Sequence, residues 1–265
     1  MINKITQLFE NKGKDILSIF FTAGFPELNS TQSIIRALEE NGADMIEVGI
    51  PYSDPLADGP VIQKTSAMAL RNGMSITTLF SQLTEIKKEV HIPLILMGYL
   101  NPVLQYGIEN FCRQASRCGV SGVILPDLPI DEYETIYGKY FESNHLKFIF
   151  LITPDTSTNR ILQIDNLSTG FIYAVSSTST TGKEFCFSPV QIEYLNRLRE
   201  MKLKNPVLVG FGIHNHETLT AAFGNARGAI IGSAYLKCLI EDNKVETVTR
   251  KFFNRLKSTI ICLYN

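Results

Sequence analysis

The sequence predicts a parallel (β/α)₈ barrel, one domain over residues 1–265 with an extra N-terminal helix. Three observations carry this. Eight short apolar runs rich in Ile, Val and Phe recur along the 265 residues, bounded by Gly, Pro or Asp. Segments of helical period separate them, and strands alternating with helices pair in parallel. The runs are apolar almost throughout, as strands covered on both faces must be.

The opening MINKITQLFENKG is amphipathic and mixed in charge, unlike a signal peptide. Its stretch Ile5 to Phe9 is placed as a short helix plugging the bottom of the barrel. The strands are DILSIFF from 15, DMIEVGI from 44, PLILMGYL from 93, SGVILPDL from 121, KFIFLI from 147, TGFIYAVS from 169, PVLVGFGI from 206 and RGAIIGSA from 227. After the first, Ile34, Ile35 and Leu38 form a helical stripe that ends at Asn41-Gly42, a good C-cap. After the third, the uncharged stretch from 92 to 108 is broken by Pro93, Gly98, Asn101, Pro102 and Gly107. It reads as a strand followed by a loop, not as a membrane-spanning helix. Ile192, Leu195 and Leu198 form a second stripe, and Val245, Val248, Phe252 and Leu256 a third. An open doubly wound sheet is the rival. However, the first strand runs into TAGFPE, with no G-x-G-x-x-G.

Composition narrows the function. Hydrophobic residues make up 45% and charged residues 19%, which excludes a disordered chain. The net charge is −1 with no basic run, so neither nucleic acid nor an anionic membrane is an expected partner. Five Cys without zinc-type spacing imply reduced thiols and a cytoplasmic location. His214 and His216 stand two apart with no supporting ligands. They read as the start of a surface helix, and no metal is expected.

Strand two supplies the chemistry. Side chains alternate along a strand, so Met45, Glu47 and Gly49 share one face and Ile46, Val48 and Ile50 the other. The all-apolar set suits the outside, against helices. Glu47 then points inward at the C-terminal mouth, where barrel enzymes place their active sites. Gly49 leaves room for a ligand above it. Burial should raise the pKa of Glu47 toward neutrality and fit it for proton transfer. The bland alternative is a buried salt bridge. Asp54 and Asp58 follow in a loop carrying three prolines, and local rules read both as turn residues. Across the mouth, Thr181-Gly182, Gly210 to Ile213 and Gly232-Ser233 follow the last three strands, where phosphate is often bound. There Gly210, Gly212 and Gly232 would let backbone approach a phosphate, and Ser233 would cap a short helix.

EVGIPYSDPLADGPVIQ, with the GFGI and GSA stretches at matching distances, closely resembles the tryptophan synthase α-subunit family over essentially the whole chain. The resemblance implies a (β/α)₈ barrel. It implies retro-aldol cleavage of indole-3-glycerol phosphate to indole and glyceraldehyde 3-phosphate, without metal or organic cofactor in this chain. It also implies a pyridoxal-phosphate (PLP) β subunit that receives the indole, in an α₂β₂ heterotetramer. The family's catalytic Glu and Asp fall on Glu47 and Asp58. Phe20, Tyr99, Asp127, Tyr173, Thr181 and Phe211 match positions around the indole and glycerol. Gly182, Gly212, Gly232 and Ser233 match the phosphate site. Asp54, Pro55, Asn101 and Pro129 match the β-subunit interface. Two stretches depart from the family pattern: Ser179-Thr180-Thr181-Gly182 replaces a G-V-T-G loop, and His214 replaces the common Ser after GFGI. The altered loop suggests a second reading, a weakly active or inactive subunit kept to activate the β partner. A third is another phosphate-binding barrel such as a sugar-phosphate isomerase or indoleglycerol-phosphate synthase. The synthase would want a strand-end Lys where Glu47 and Asp127 stand.

Overall fold

The computed structural model describes residues 2–175, 187–242 and 244–257. Thr181 and Gly182, with the altered loop around them, lie outside the described residues. Nine strands form one parallel sheet: β1 (Ile16–Thr22), β2 (Met45–Gly49), β3 (Leu94–Met97), β4 (Gly122–Ile124), β5 (Lys147–Phe148), β6 (Phe150–Ile152), β7 (Ile172–Ala174), β8 (Val207–Val209) and β9 (Gly228–Ile231). Their order is β5-β4-β3-β2-β1-β9-β8-β7-β6. The run KFIFLI, expected as one strand, is split at Ile149. Its first half pairs with β4 and its second with β7. The same chain segment therefore ends both sides of the sheet, and the eight predicted runs close as a (β/α)₈ barrel.

The core divides in two, as the alternation requires. Inside the barrel lie Ile16, Met45, Ile95, Ile124, Ile149, Phe171, Leu208 and Ile230. Ile46, Val48 and Ile50 belong to the layer between sheet and helices. The helix Lys4–Asn11 closes the end where the strands begin: Ile5 is fully buried with the interior set, and Phe9 lies 6.2 Å from the Phe171 ring.

The first predicted stripe is the helix Ser30–Asn41, ended by Gly42 in the left-handed region at φ 103°. The third is Val245–Lys257, with all four predicted residues buried. The second is Pro189–Glu200, where Tyr194 joins Leu195 and Leu198 in the core and Ile192 is 41% exposed. The expectation for Ile192 is thus corrected: the helix turns a different edge inward. The expected loop after β3 is in fact a helix, Leu100–Tyr106. Pro102 falls in its first turn, where no intrahelical N–H is needed. No described helix is long and apolar enough to cross a membrane.

At the strand-start end, Asp165 is buried and accepts hydrogen bonds from the Lys204 N–H at 2.9 Å and the Asn205 N–H at 2.9 Å. It thereby fixes the entry to β8. Asp165→Ala removes a buried acceptor and leaves two part-buried N–H donors unpaired, and is expected to cost about 1–3 kcal/mol. Urea denaturation of the two proteins measures this, and an unchanged midpoint would contradict the assigned role.

Candidate active site

Glu47 sits on β2 beside Phe20 of β1 and Ile95 of β3. It faces the barrel interior and is fully buried. Its Oε1 accepts a hydrogen bond from Ser18 Oγ at 2.9 Å, whereas Oε2 has no partner among the described residues. No described Lys, Arg or His pairs with it, so the salt-bridge alternative falls. Burial pushes its carboxyl up to about 8, against a smaller opposing pull from Ser18.

Asp58 reaches the same space from the loop after β2. The backbone there makes the turns that local rules foresee, with Leu56 N–H donating to Asp54 O and Asp58 N–H to Pro55 O. The side chain does more. Its Oδ2 accepts from the Tyr99 hydroxyl at 3.1 Å, and burial raises its carboxyl to about 6. The Tyr99 oxygen in turn accepts from the Ala57 N–H at 3.0 Å. One phenol therefore grips two consecutive loop residues. Tyr99 is itself the residue before the helix Leu100–Tyr106. Asp127 accepts from the Leu100 N–H with both oxygens, at 2.9 and 3.0 Å. The place of Asp127 thus has a physical account: it caps that helix and steadies the Tyr99 backbone.

Further bonds hold the loop from its other end. Gln63 Nε2 donates to Asp58 O at 2.9 Å. Thr65, one helical turn into Pro60–Arg71, meets Thr22 at the end of β1, oxygen to oxygen at 2.7 Å. None of Gln63, Thr22 or Thr65 stands out in the sequence. Ser18 alone leaves a signal, as a polar residue within an apolar run.

Tyr173 on β7 is buried, and its phenol is raised well above the ordinary range by burial, with Glu47 and Asp58 adding to the effect. Its ring stands over Gly210, where a Cβ would come within 2.1 Å. Tyr173 is by itself reason enough for the glycine at 210. The expectation for Gly49 is corrected. A Cβ there would lie 2.5 Å from the Phe20 ring, so Phe20 already fills the room predicted for a ligand. Phe211 packs on Phe187 with ring centroids 5.4 Å apart. Glu47, Asp58, Phe20, Tyr99 and Tyr173 thus come together at one end of the barrel.

The helix after β9 begins at Ser233 with Gly232 in the cap position, and no side chain caps it. Ser233 is its first residue, a correction to its expected role as cap. The first-turn N–H groups of any such helix lack intrahelical acceptors and face outward from its end. Gly212 is exposed with φ 69°, and the His214 ring nitrogen Nδ1 lies 2.9 Å from its carbonyl. His214 and His216 lead into the helix His216–Asn225, which Asn215 caps through a reciprocal pair of bonds with Thr218.

On the outer rim, Asp54, Asn101 and Pro129 are exposed and Pro55 half-exposed. Asn101 Nδ2 donates to the Tyr52 hydroxyl at 3.1 Å, and Leu56 between the two aspartates is 93% exposed. Tyr52, Asp54, Pro55, Leu56 and Leu70 line a shallow surface cavity of about 520 Å³.

Residues 6–259 match the family model described as tryptophan synthase alpha chain. The chain is 52% identical to the tryptophan synthase alpha chain of Flavobacterium psychrophilum over 249 residues, covering 94% of this chain and 98% of that one. It is 49% identical to that of Bacteroides fragilis over 259 residues, covering 98% and 97%. The structure of tryptophan synthase subunit alpha from Legionella pneumophila superposes with a TM-score of 0.87 at 31% identity, covering 97% of each chain.

Proposed function

The chain belongs to the tryptophan synthase alpha chain family and is a carbon–carbon lyase of the alpha reaction, and from that premise we propose that Glu47 and Asp58 carry the cleavage of indole-3-glycerol phosphate. Glu47 in its neutral form gives a proton to indole C3. The ring becomes an indolenine cation, whose N–H donates to the Asp58 carboxylate, and that anion stabilises the positive charge as it forms. Glu47, now ionised, takes the proton of the hydroxyl on the adjacent side-chain carbon. The C–C bond breaks, its electrons return to the ring, and indole and glyceraldehyde 3-phosphate leave. The proton lent equals the proton recovered, so Glu47 ends as it began. The observation that carries this reading is the buried Glu47, without an ionic partner and with Oε2 unbonded among the described residues, raised to about 8 and acting with Asp58 on the same Tyr173 phenol.

Phe20, Tyr173 and Phe211 form the apolar surround for the indole in this reading. Tyr99 and Asp127 hold the Asp58 loop, with Thr181 as its proposed contact on closure. Gly182, Gly212, Gly232 and Ser233 take the phosphate, Ser233 through the N–H groups of its helix. The rim of Asp54, Pro55, Asn101 and Pro129 meets a β subunit in an α₂β₂ assembly. Two exposed features support that docking: the bare Leu56 and the cavity beside it. PLP belongs to that partner, and residues 1–265 act as one cytoplasmic barrel domain.

Indole release from indole-3-glycerol phosphate, by the chain alone and with its β partner, tests the reading. The reaction requires Glu47 protonated and Asp58 ionised. Its kcat/KM should therefore be bell-shaped in pH, falling below about 6 and above about 8. A profile flat from pH 5 to 9, or no indole under either condition, would defeat the assignment.

A further inference from the structure

We infer that Ser18 is a positioning residue that decides which oxygen of Glu47 handles the proton. The inference rests on the reading of Glu47 as the proton carrier. Ser18 lies on β1, two residues before Phe20, and Phe20 is in register with Glu47 on β2. Both Ser18 and Glu47 are 0% exposed, and Ser18 Oγ stands 2.9 Å from Oε1. This is the one hydrogen bond of the Ser18 side chain among the described residues.

Two proton arrangements are possible when Glu47 is neutral. In the first, the Ser18 hydroxyl donates to Oε1, which acts as the carbonyl oxygen, and the acid proton sits on Oε2. In the second, Oε1 carries the proton and donates it to Ser18, whose own hydrogen then has no acceptor. A buried donor without a partner costs a full desolvation penalty. Each arrangement leaves one such donor, the acid O–H on Oε2 in the first and the Ser18 hydroxyl in the second, and a ligand ring set against Oε2 relieves the first by taking up its proton. In the anion the choice is fixed, because a carboxylate can only accept and Ser18 must donate to Oε1. With ligand bound, Ser18 thus holds Oε1 as donor, and Oε2 is the oxygen that gives up the proton and, once ionised, takes one back. Oε2 is the oxygen that no described protein group occupies. The same bond stops the carboxyl group from rotating between the two transfers.

The other groups facing Glu47 do not duplicate this work. Phe20 and Thr22 of β1, and Ile95 and Met97 of β3, carry no charge in the working pH range. Tyr173 of β7 is kept neutral by burial, and Asp58 approaches from the loop, where the Tyr99 hydroxyl holds it. Among the described residues no cation stands near enough to Glu47 to compete.

Ser18→Ala and Ser18→Thr test the inference, with Glu47→Gln alongside. Loss of the hydroxyl should lower kcat about tenfold with KM little changed. Ser18 favours the charged form of Glu47, so its loss should also move the basic limb of kcat/KM about one unit higher. The infrared C=O stretch of neutral Glu47, identified by difference from Glu47→Gln, should persist to correspondingly higher pH. Ser18→Thr keeps the donor and should return all three readings toward wild type. If the limb and the infrared titration stay put in Ser18→Ala, Ser18 only fills space and the inference is wrong, even with Glu47→Gln inactive. If Glu47→Gln keeps full activity, the proton-carrier reading falls and takes this inference with it.

Discussion

Glu47→Gln is expected to lower kcat for indole-3-glycerol phosphate cleavage by about 10³-fold or more, within the range that general acid–base catalysis supplies. The amide matches the acid in shape and can still accept from Ser18, so substrate binding and KM should change little. It has no proton of suitable acidity to give to indole C3 and no basic oxygen to take one back. The loss must therefore fall on the chemical step, and single-turnover measurements should show it undiminished. Stability should move the opposite way. The folded-state value of about 8 lies above the ordinary 4.5, so ionising Glu47 opposes folding. Its favourable contribution is full below pH 4.5 and drains away as pH rises to 8, after which the loss is constant. The Gln variant has no such slope. Its stability relative to wild type should rise by as much as about 4 kcal/mol across that window. Urea titrations at about pH 5 and about pH 8.5, near the two ends of the window, test this. A variant that is inactive but also less stable at the higher pH would mean that Glu47 holds the barrel together and that its buried charge is compensated by something else.

Why the sequence reveals Glu47 so directly is a matter of parity. A strand has two faces, and one face of DMIEVGI is wholly apolar, so the Glu has to share the other with Met45. The interior packing of Met45 settles that this face points into the barrel. Local patterns serve equally well where the cause is local, as at the Gly42 cap. They fail where the cause is distant in the chain. The stretch after β3 reads as a loop because of Pro102 and Gly107, yet Asp127 caps it as a helix from 27 residues downstream. Gly210 reads as a phosphate glycine, yet the constraint comes from the Tyr173 ring on another strand. The break at Ile149 has no sign in KFIFLI itself, because it arises from handing one strand between two neighbours at closure. The role of Ser18 is hidden for the same reason: it exists only once β1 lies in register with β2.

Asp58→Asn should reduce kcat by about 10²-fold, close to the loss of one preorganised electrostatic contact in other active sites. The N–H of the indolenine cation is a far better donor than that of neutral indole. An anionic acceptor gains more from this change than an amide oxygen does, so the difference appears in the transition state and little in the ground state. The amide oxygen introduced by Asp58→Asn can still accept from the Tyr99 hydroxyl, and Gln63 still holds the backbone carbonyl at 2.9 Å. The loop should therefore keep its place, which separates a charge effect from a collapse of the site. The pH profile adds an independent reading. Wild-type activity should fall below about pH 6 as Asp58 takes up a proton. In the proposed mechanism its charged form is the working form, so protonation and the Asn substitution should remove the same feature. The variant should consequently have no acid limb near 6 while retaining the basic limb that belongs to Glu47. If the acid limb survives in Asp58→Asn, that titration belongs to another group, and the stabilising charge must be sought elsewhere around the mouth.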